Sequence, residues 1–149
     1  MKIHVGNLWT AEADFIGITT NGTITKAGNA VMGRGVALQA KQMFPGIEKE
    51  LGTMLTNYGN VCHWLRSGSM FSFPVKHNWW EKADINLIAL SVKTLVVRGE
   101  SSPYKKFAIP LPGTGNGKLK PEQVWPLMKK LPNNVTVVIP NDSMLPVAL

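Results

Sequence analysis

At 149 residues, 44% apolar and 17% charged, the chain has the length of one domain and enough apolar residues for a packed core, which excludes a disordered tail. No apolar run approaches the roughly 20 residues of a membrane span, and a lone Cys62 excludes an internal disulfide, so a reducing, cytoplasmic compartment is expected. The net charge is +7, and the stretch from Lys93 to Lys130, with eight cations against Glu100 and Glu122, carries +6 of it: either a bias toward polyanions or a solvated face.

Short apolar runs alternate with helical periods along the chain. Lys2–Val5 opens as a strand, with no signal-peptide core before it. Phe15–Thr19, Val61–Leu65, Met70–Phe73, Phe107–Leu111 and Val135–Ile139 read as further strands, several of them continuously apolar, as strands covered on both faces are. Between them, Gly35–Phe44 reads as a helix stopped near Pro45, and Ile47, Leu51, Met54 and Leu55 repeat at helical spacing. Asp84 is placed to cap a helix with the face Ile85, Ile88, Ala89, Val92, Leu95 and Val96. Pro121 suits the first position of a helix whose face is Val124, Leu127, Met128 and Leu131, leaving Trp125 off that face and near a glycine loop. Ser67–Ser69 and Arg98–Tyr104 read as exposed loops. Strands alternating with helices predict one α/β domain over residues 1–149, with a mostly parallel sheet and helices on both sides.

Ligands of open α/β sheets bind beyond the carboxyl ends of the strands, and two glycine loops fall there. The first runs Thr20-Asn21-Gly22 and, after an excursion, Gly28 to Leu38, with Met32-Gly33-Arg34-Gly35-Val36 opening a helix. Free amides and the positive end of the helix dipole then favour phosphate, and Gly33 and Gly35 let the backbone approach it. The second loop is Pro112-Gly113-Thr114-Gly115-Asn116-Gly117, whose alternating glycines can form an anion-cradling nest. Either loop alone is compatible with an ordinary turn; two at strand ends of one small sheet favour a site. A P-loop is excluded, because three residues rather than four lie between Gly113 and Gly117 and Leu119 replaces the magnesium-binding hydroxyl. A dinucleotide fingerprint is excluded too, since the loop reads G-x-G-x-G. Three histidines and one cysteine supply neither a zinc motif nor a tetrahedral ligand set, so no metal and no cofactor is expected.

Taken together, the loops resemble the macro domain family, which binds ADP-ribose and its derivatives. The likeness extends from Ile3 to about Val138, and it implies a three-layer α/β/α sandwich around a central mixed, mostly parallel sheet. The family's opening Gly-Asp-Ile reads Gly6-Asn7-Leu8 here, and its Asn-Ala-Ala-Asn reads Ile18-Thr19-Thr20-Asn21. Val31 to Gln39 and Phe71-Ser72-Phe73-Pro74-Val75-Lys76 are similar to one subgroup, the terminal ADP-ribose glycohydrolases and the antitoxins that remove ADP-ribose from DNA. The resemblance implies that Thr20, Asn21, Met32, Gly33, Arg34, Gly35 and Val36 clasp one side of the diphosphate and distal ribose. Pro112, Gly113, Thr114, Gly115, Asn116 and Gly117 would clasp the other. Asn7 and Leu8 would lie near the adenine, Asn7 without the charge of the usual acid.

Lys76 matches the subgroup's essential lysine. The implied mechanism is attack of its neutral amine on the anomeric carbon of the distal ribose, aided by a pKa lowered by neighbouring cations or desolvation. The aspartate that assists in the eukaryotic member falls on Gly117, and Asn116 is a candidate to position water. His77 is expected on the opposite face of the strand. Trp79 and Trp80 either stack on a nucleobase, cover a core edge or cap a helix. The expected activity is hydrolysis of ADP-ribose from modified DNA or protein by a monomer that engages no membrane. Rival readings are an ADP-ribose 1″-phosphate phosphatase using Asn21 or Asn116 to hold water, a non-catalytic ADP-ribose reader, and a basic nucleic-acid binder that makes no use of the cleft.

Overall fold

Five apolar runs pair as strands in the computed structural model, which describes residues 1–66 and 69–147: β1 Lys2–Val5, β2 Phe15–Thr20, β3 Met70–Pro74, β4 Phe107–Pro110 and β5 Val135–Ile139. The sheet order is β1-β5-β4-β2-β3, and every pairing between these strands is parallel. Four helices connect them: α1 Gly35–Met43, α2 Ile47–Tyr58, α3 Ile85–Ser101 and α4 Pro121–Met128.

Period-two alternation divides the side chains between two cores. Phe71 and Phe73 of β3, Phe107 and Ile109 of β4, and Val135, Val137 and Ile139 of β5 are buried with Ile88, Val92 and Leu95 of α3 and Val124 and Met128 of α4. On the other face Ile18 and Met70 meet Ala37, Ala40, Ile47, Leu51 and Leu55 of α1 and α2. The result is the α/β/α sandwich expected from the sequence. No helix among the described residues is long and apolar enough to cross a membrane.

The helix ends follow local chemistry. Asp84 caps α3, its carboxylate accepting from the Asn86 amide at 2.8 Å. Gly46, at φ 96°, opens α2, with Glu48 and Glu50 in its first turn, where the dipole favours acids. At α4, Gln123 Oε1 accepts from the Lys120 amide at 2.8 Å, and Pro121 occupies the first turn.

Four sequence readings need correction. Residues 61–65 form no strand. His63 N–H donates to Ser72 Oγ at 2.8 Å instead of to a backbone carbonyl, and only an isolated antiparallel bridge, Trp64 with Phe71, remains. The segment covers the outer edge of β3, which is fully buried in consequence. Residues 98–101 are helical, because Gly99 lets α3 continue past Pro132 and Asn134, where a Cβ would sit 2.8 Å from Pro132 Cγ. The buried stripe of α3 is rotated toward Leu87, Ser91 and Gly99, and Ile85, Ala89 and Val96 are only half-buried. Trp125 belongs to the buried face of α4, its Nε1–H donating to the Met144 carbonyl at 2.7 Å rather than reaching a glycine loop. Of the expected loop at 67–69, Ser67 and Gly68 lie outside the described residues.

The topology creates one opening. β2 continues alongside β3 to Thr20 opposite Pro74, and β4 continues alongside β5 to Pro110 opposite Val138. Between β2 and β4 pairing stops at Ile16 opposite Ala108. From β2 the chain proceeds to β3 on one side and from β4 to β5 on the other, so this gap is the switch point where such sheets bind ligands.

Candidate functional site

A cleft of about 590 Å³ lies at that gap. Its walls carry Thr20, Asn21, Met32, Gly33, Arg34, Gly35 and Val36 from the first loop, Gly113, Thr114, Gly115, Asn116 and Gly117 from the second, and Lys76 after β3. Three residues named from the sequence stand off the wall. Leu8 is buried behind it, clustered with Val138 and Val36, which do line the cleft. Pro112 is buried within the second loop. Asn7 caps a short 3-10 turn over Leu8–Thr10, with Oδ1 accepting from the Trp9 amide at 2.9 Å.

The first loop is shaped by its own polar groups. Asn21 Nδ2 donates to the Val31 carbonyl at 3.0 Å and Asn21 Oδ1 accepts from the Thr23 amide at 2.9 Å, so one side chain ties both ends of the excursion. The Ala30 amide donates to the Glu48 carbonyl, fixing the excursion to α2. The chain then reaches α1 through an extended Arg34 that offers no side-chain cap and a Gly35 at φ 58°. Within the described residues, no backbone acceptor is met by the amides of Gly33, Arg34, Gly35, Val36 and Ala37. The N-terminus of α1 is therefore unsatisfied and positive.

The second loop turns at Gly113, φ 78°. Leu119 N–H donates to Gly113 O, Lys118 N–H to Gly115 O, and Thr114 Oγ1 to Leu111 O at 2.9 Å. The amides from Thr114 to Gly117 have no backbone acceptor among the described residues either. The two turns converge, since a Cβ on Gly35 would sit 3.3 Å from Asn116 Nδ2. Gly117 accepts no side chain at all, because a Cβ there would lie 2.5 Å from the Gly113 carbonyl and 2.7 Å from Ala83 Cβ. This explains in physical terms why no carboxylate stands at that position.

Electrostatics reinforce the free amides. Among the described residues on the cleft wall the ionisable side chains are Arg34 and Lys76, and no acid is present. Partial burial, then the charges of Arg34 and Lys118, hold the Lys76 ammonium below the usual lysine range. Its Nζ donates to the Trp79 carbonyl at 3.4 Å. His77 instead pairs with Asp84, Nε2 to Oδ2 at 2.8 Å. Burial pushes the Cys62 thiol up to about 12, which makes it a poor nucleophile.

Some wall residues carried no sequence signal. Val138, Pro140 and Met144 also line the cleft. Met144 is held there by Trp125, a link that no local pattern shows.

This arrangement defines an α/β/α ligand-binding domain with an anion-accepting crevice at its switch point. No protein-family model matches the chain. It is 30% identical over 134 residues to the DNA ADP-ribosyl glycohydrolase of Thermus aquaticus, a match covering 84% of this chain and 34% of that protein. The chain has the fold of a macro domain. Its fold is similar to the macrodomain of Thermus aquaticus DarG, at TM-score 0.73 and 27% identity over 94% of this chain and 97% of that one. The macrodomain of Mycobacterium tuberculosis DarG gives 0.75 and 22% over 93% and 98%. Thermosipho africanus DarTG in complex with ADP-ribose gives 0.78 and 21% over 97% and 43%. The chain thus spans about a third of the curated relative's length.

Proposed function

We propose that the cleft binds ADP-ribose and that the chain hydrolyses ADP-ribose from modified DNA, with Lys76 as nucleophile. The observation that carries this reading is the convergence of two sets of unsatisfied amides, residues 33–37 and 114–117, on one acid-free cleft beside a lysine of lowered pKa. Such amides suit a diphosphate, whose oxygens accept from several N–H groups at once. Val36, Leu111, Val138 and Met144 give the cleft wall apolar surface suited to a base. The DNA carrier is taken from the name of the Thermus aquaticus relative, and ADP-ribose from the Thermosipho africanus complex. A reducing cytoplasmic setting suits the single, half-buried cysteine.

In this reaction the neutral Lys76 amine attacks the anomeric carbon of the distal ribose. The bond from that carbon to the carrier breaks, its electron pair leaves with the carrier, and the carrier takes up a proton. Water then adds to the lysine-bound sugar, releasing ADP-ribose and restoring the amine. The net change is one water consumed, with no redox step.

ADP-ribosylated DNA and ADP-ribosylated protein, incubated side by side with wild type and Lys76→Ala, test the reading. Wild type is expected to release ADP-ribose from the DNA, and the variant to be slower by about 10³-fold or more, the scale seen when a covalent nucleophile is lost. Near-normal release by Lys76→Ala would overturn the lysine mechanism. Tight ADP-ribose binding with no turnover on either substrate would leave a reader.

A further inference from the structure

The most exposed aromatic surface near the cleft is the pair Trp79–Trp80, with half and nearly two-thirds of their surfaces open (50% and 64%). Tryptophans this exposed are informative, since folding normally buries them. The sequence left open whether they cover a core edge; neither ring belongs to a core cluster of the described residues. Their rings stand edge to face, centroids 5.9 Å apart at 88°. The backbone beneath them is firmly held. Trp79 N–H donates to Thr23 Oγ1 at 3.0 Å, Gly22 N–H to the His77 carbonyl, and Asn78 Nδ2 to Glu81 Oε1 at 2.8 Å. The two rings are thus presented to solvent on an ordered turn.

Their position relative to the reacting centre gives the pair meaning. Trp79 lines the cleft, and the Lys76 amine rests on its carbonyl. A group displaced by the lysine is therefore released beside this turn. The charge around it is positive: Arg34 and Lys118 act on Lys76, and Lys82 follows the pair in sequence. The nearby acids are held on the turn itself, Glu81 by the Asn78 amide and Asp84 by the His77 ring. Two flat apolar faces with Arg34, Lys76 and Lys118 on their cleft side match an unpaired nucleobase on its phosphate backbone, whereas duplex DNA hides its base faces.

Resting on the function proposed above, we infer that Trp79 and Trp80 form the carrier-side subsite, stacking on bases of a single-stranded nucleic acid whose ADP-ribose occupies the cleft. Stacking on such side chains is sequence-tolerant, so the subsite selects for strandedness rather than for a base.

Two measurements on the full chain test this. In the first, Trp79→Ala, Trp80→Ala and Trp80→Tyr are compared with wild type for KM on ADP-ribosylated single-stranded oligonucleotide and for calorimetric affinity for free ADP-ribose. Trp80→Ala is expected to raise KM by about 5- to 150-fold while leaving ADP-ribose affinity in place, and Trp80→Tyr to restore most of the loss. Unchanged KM in both alanine variants overturns the inference, as does an equal loss on ADP-ribosylated protein. In the second, anisotropy of a labelled unmodified strand is read at low salt, which needs no turnover. Wild type should bind single strand in preference to duplex, and both alanine variants should lose that preference. Should wild type release no ADP-ribose from any carrier yet show this preference, the hydrolase reading fails and the subsite stands; equal binding of strand and duplex removes the subsite and leaves the hydrolase reading to its own test.

Discussion

Two glycines of the second loop, two positions apart, face opposite surroundings, and the contrast yields a measurable prediction. At Gly117 an added Cβ would lie 2.5 Å from the Gly113 carbonyl oxygen and 2.7 Å from Ala83 Cβ. At Gly115 nothing lies within 4 Å. The obstruction at Gly117 is backbone, tied in turn by Leu119 N–H to Gly113 O at 2.9 Å, so it cannot rotate away as a side-chain tip would. Overpacking of this kind costs about 1–3 kcal/mol. For a domain of this length each kcal/mol moves Tm by about 2–4 °C, so Gly117→Ala should lose about 2–12 °C while Gly115→Ala stays within about 2 °C. Because the Gly117 carbonyl also accepts from Ala83 N–H, the strain should spread into the loop and weaken ADP-ribose binding as well. Gly117→Asp should fare no better than alanine, since the carboxylate would first have to pass the same carbonyl. Thermal unfolding and calorimetry on the three variants decide the matter. If Gly117→Ala melts with wild type and binds ADP-ribose as tightly, the close approach is wrong, and with it the reason for the missing acid.

Other expectations follow from the same coordinates. The rate of the Lys76 mechanism, read as kcat/KM to report the free protein, should rise with pH through a limb below the ordinary lysine range. Lys118→Met should move that limb upward by removing a nearby charge; a limb that stays in place counts against the amine as nucleophile. Asp84→Ala should cost about 0.5–2 kcal/mol by removing the cap of α3, measurable by urea unfolding. The Asp84 carboxyl is held below its usual range by the hydrogen bond from His77 and then by the Asn86 amide. Its stabilising contribution is therefore complete above the ordinary value of about 3.9 and is lost as pH falls through the lower folded value. Asp84→Asn should erase that part of the acid sensitivity. Saturating ADP-ribose at about 100 times its Kd should add about 2.7 kcal/mol, or about 5–11 °C.

How much of this was legible depended on whether the cause was local. β3 to β5 could be read because Met70–Pro74, Phe107–Pro110 and Val135–Ile139 are short, almost continuously apolar runs, and their burial follows from that pattern. The helix starts at Asp84 and Pro121 were legible because capping chemistry sits in adjacent residues. Residues 61–65 misled for the opposite reason. Their apolar run has strand composition, but whether it pairs was settled by Ser72, whose hydroxyl takes the His63 amide from across the turn. Trp125 was misplaced because its partner, the Met144 carbonyl, lies in a returning segment that helical periodicity does not see. The two glycine loops announced a cleft, yet the division of labour inside them did not show. Asn21 ties the loop rather than facing the ligand with a free amide, and Asn7 caps a turn. Composition names the polar groups; only tertiary geometry says which are already engaged.

Thr20 tests that distinction between a wall residue and a ligand contact. It ends β2 at the cleft, and its carbonyl accepts from the Val75 and Lys76 amides, so its backbone fixes the position of the lysine. Its Oγ1 is buried and has no hydrogen-bond partner among the described residues. An unpartnered buried hydroxyl carries a desolvation penalty of about 1–3 kcal/mol, whereas an apolar group of the same shape carries none. Thr20→Val should therefore match wild type in Tm or exceed it, and should leave both ADP-ribose affinity and kcat unchanged, because the backbone that positions Lys76 is untouched. A fall in Tm would mean that the hydroxyl is satisfied in solution by a water held in the cleft. A fall in affinity of about two- to tenfold, the range of one lost hydrogen bond, would mean that the hydroxyl swings onto the ligand when the two loops close. Either result would refute the view that Thr20 serves the site through its main chain, and Thr20→Ser, which keeps the hydroxyl, separates loss of the polar group from loss of the methyl.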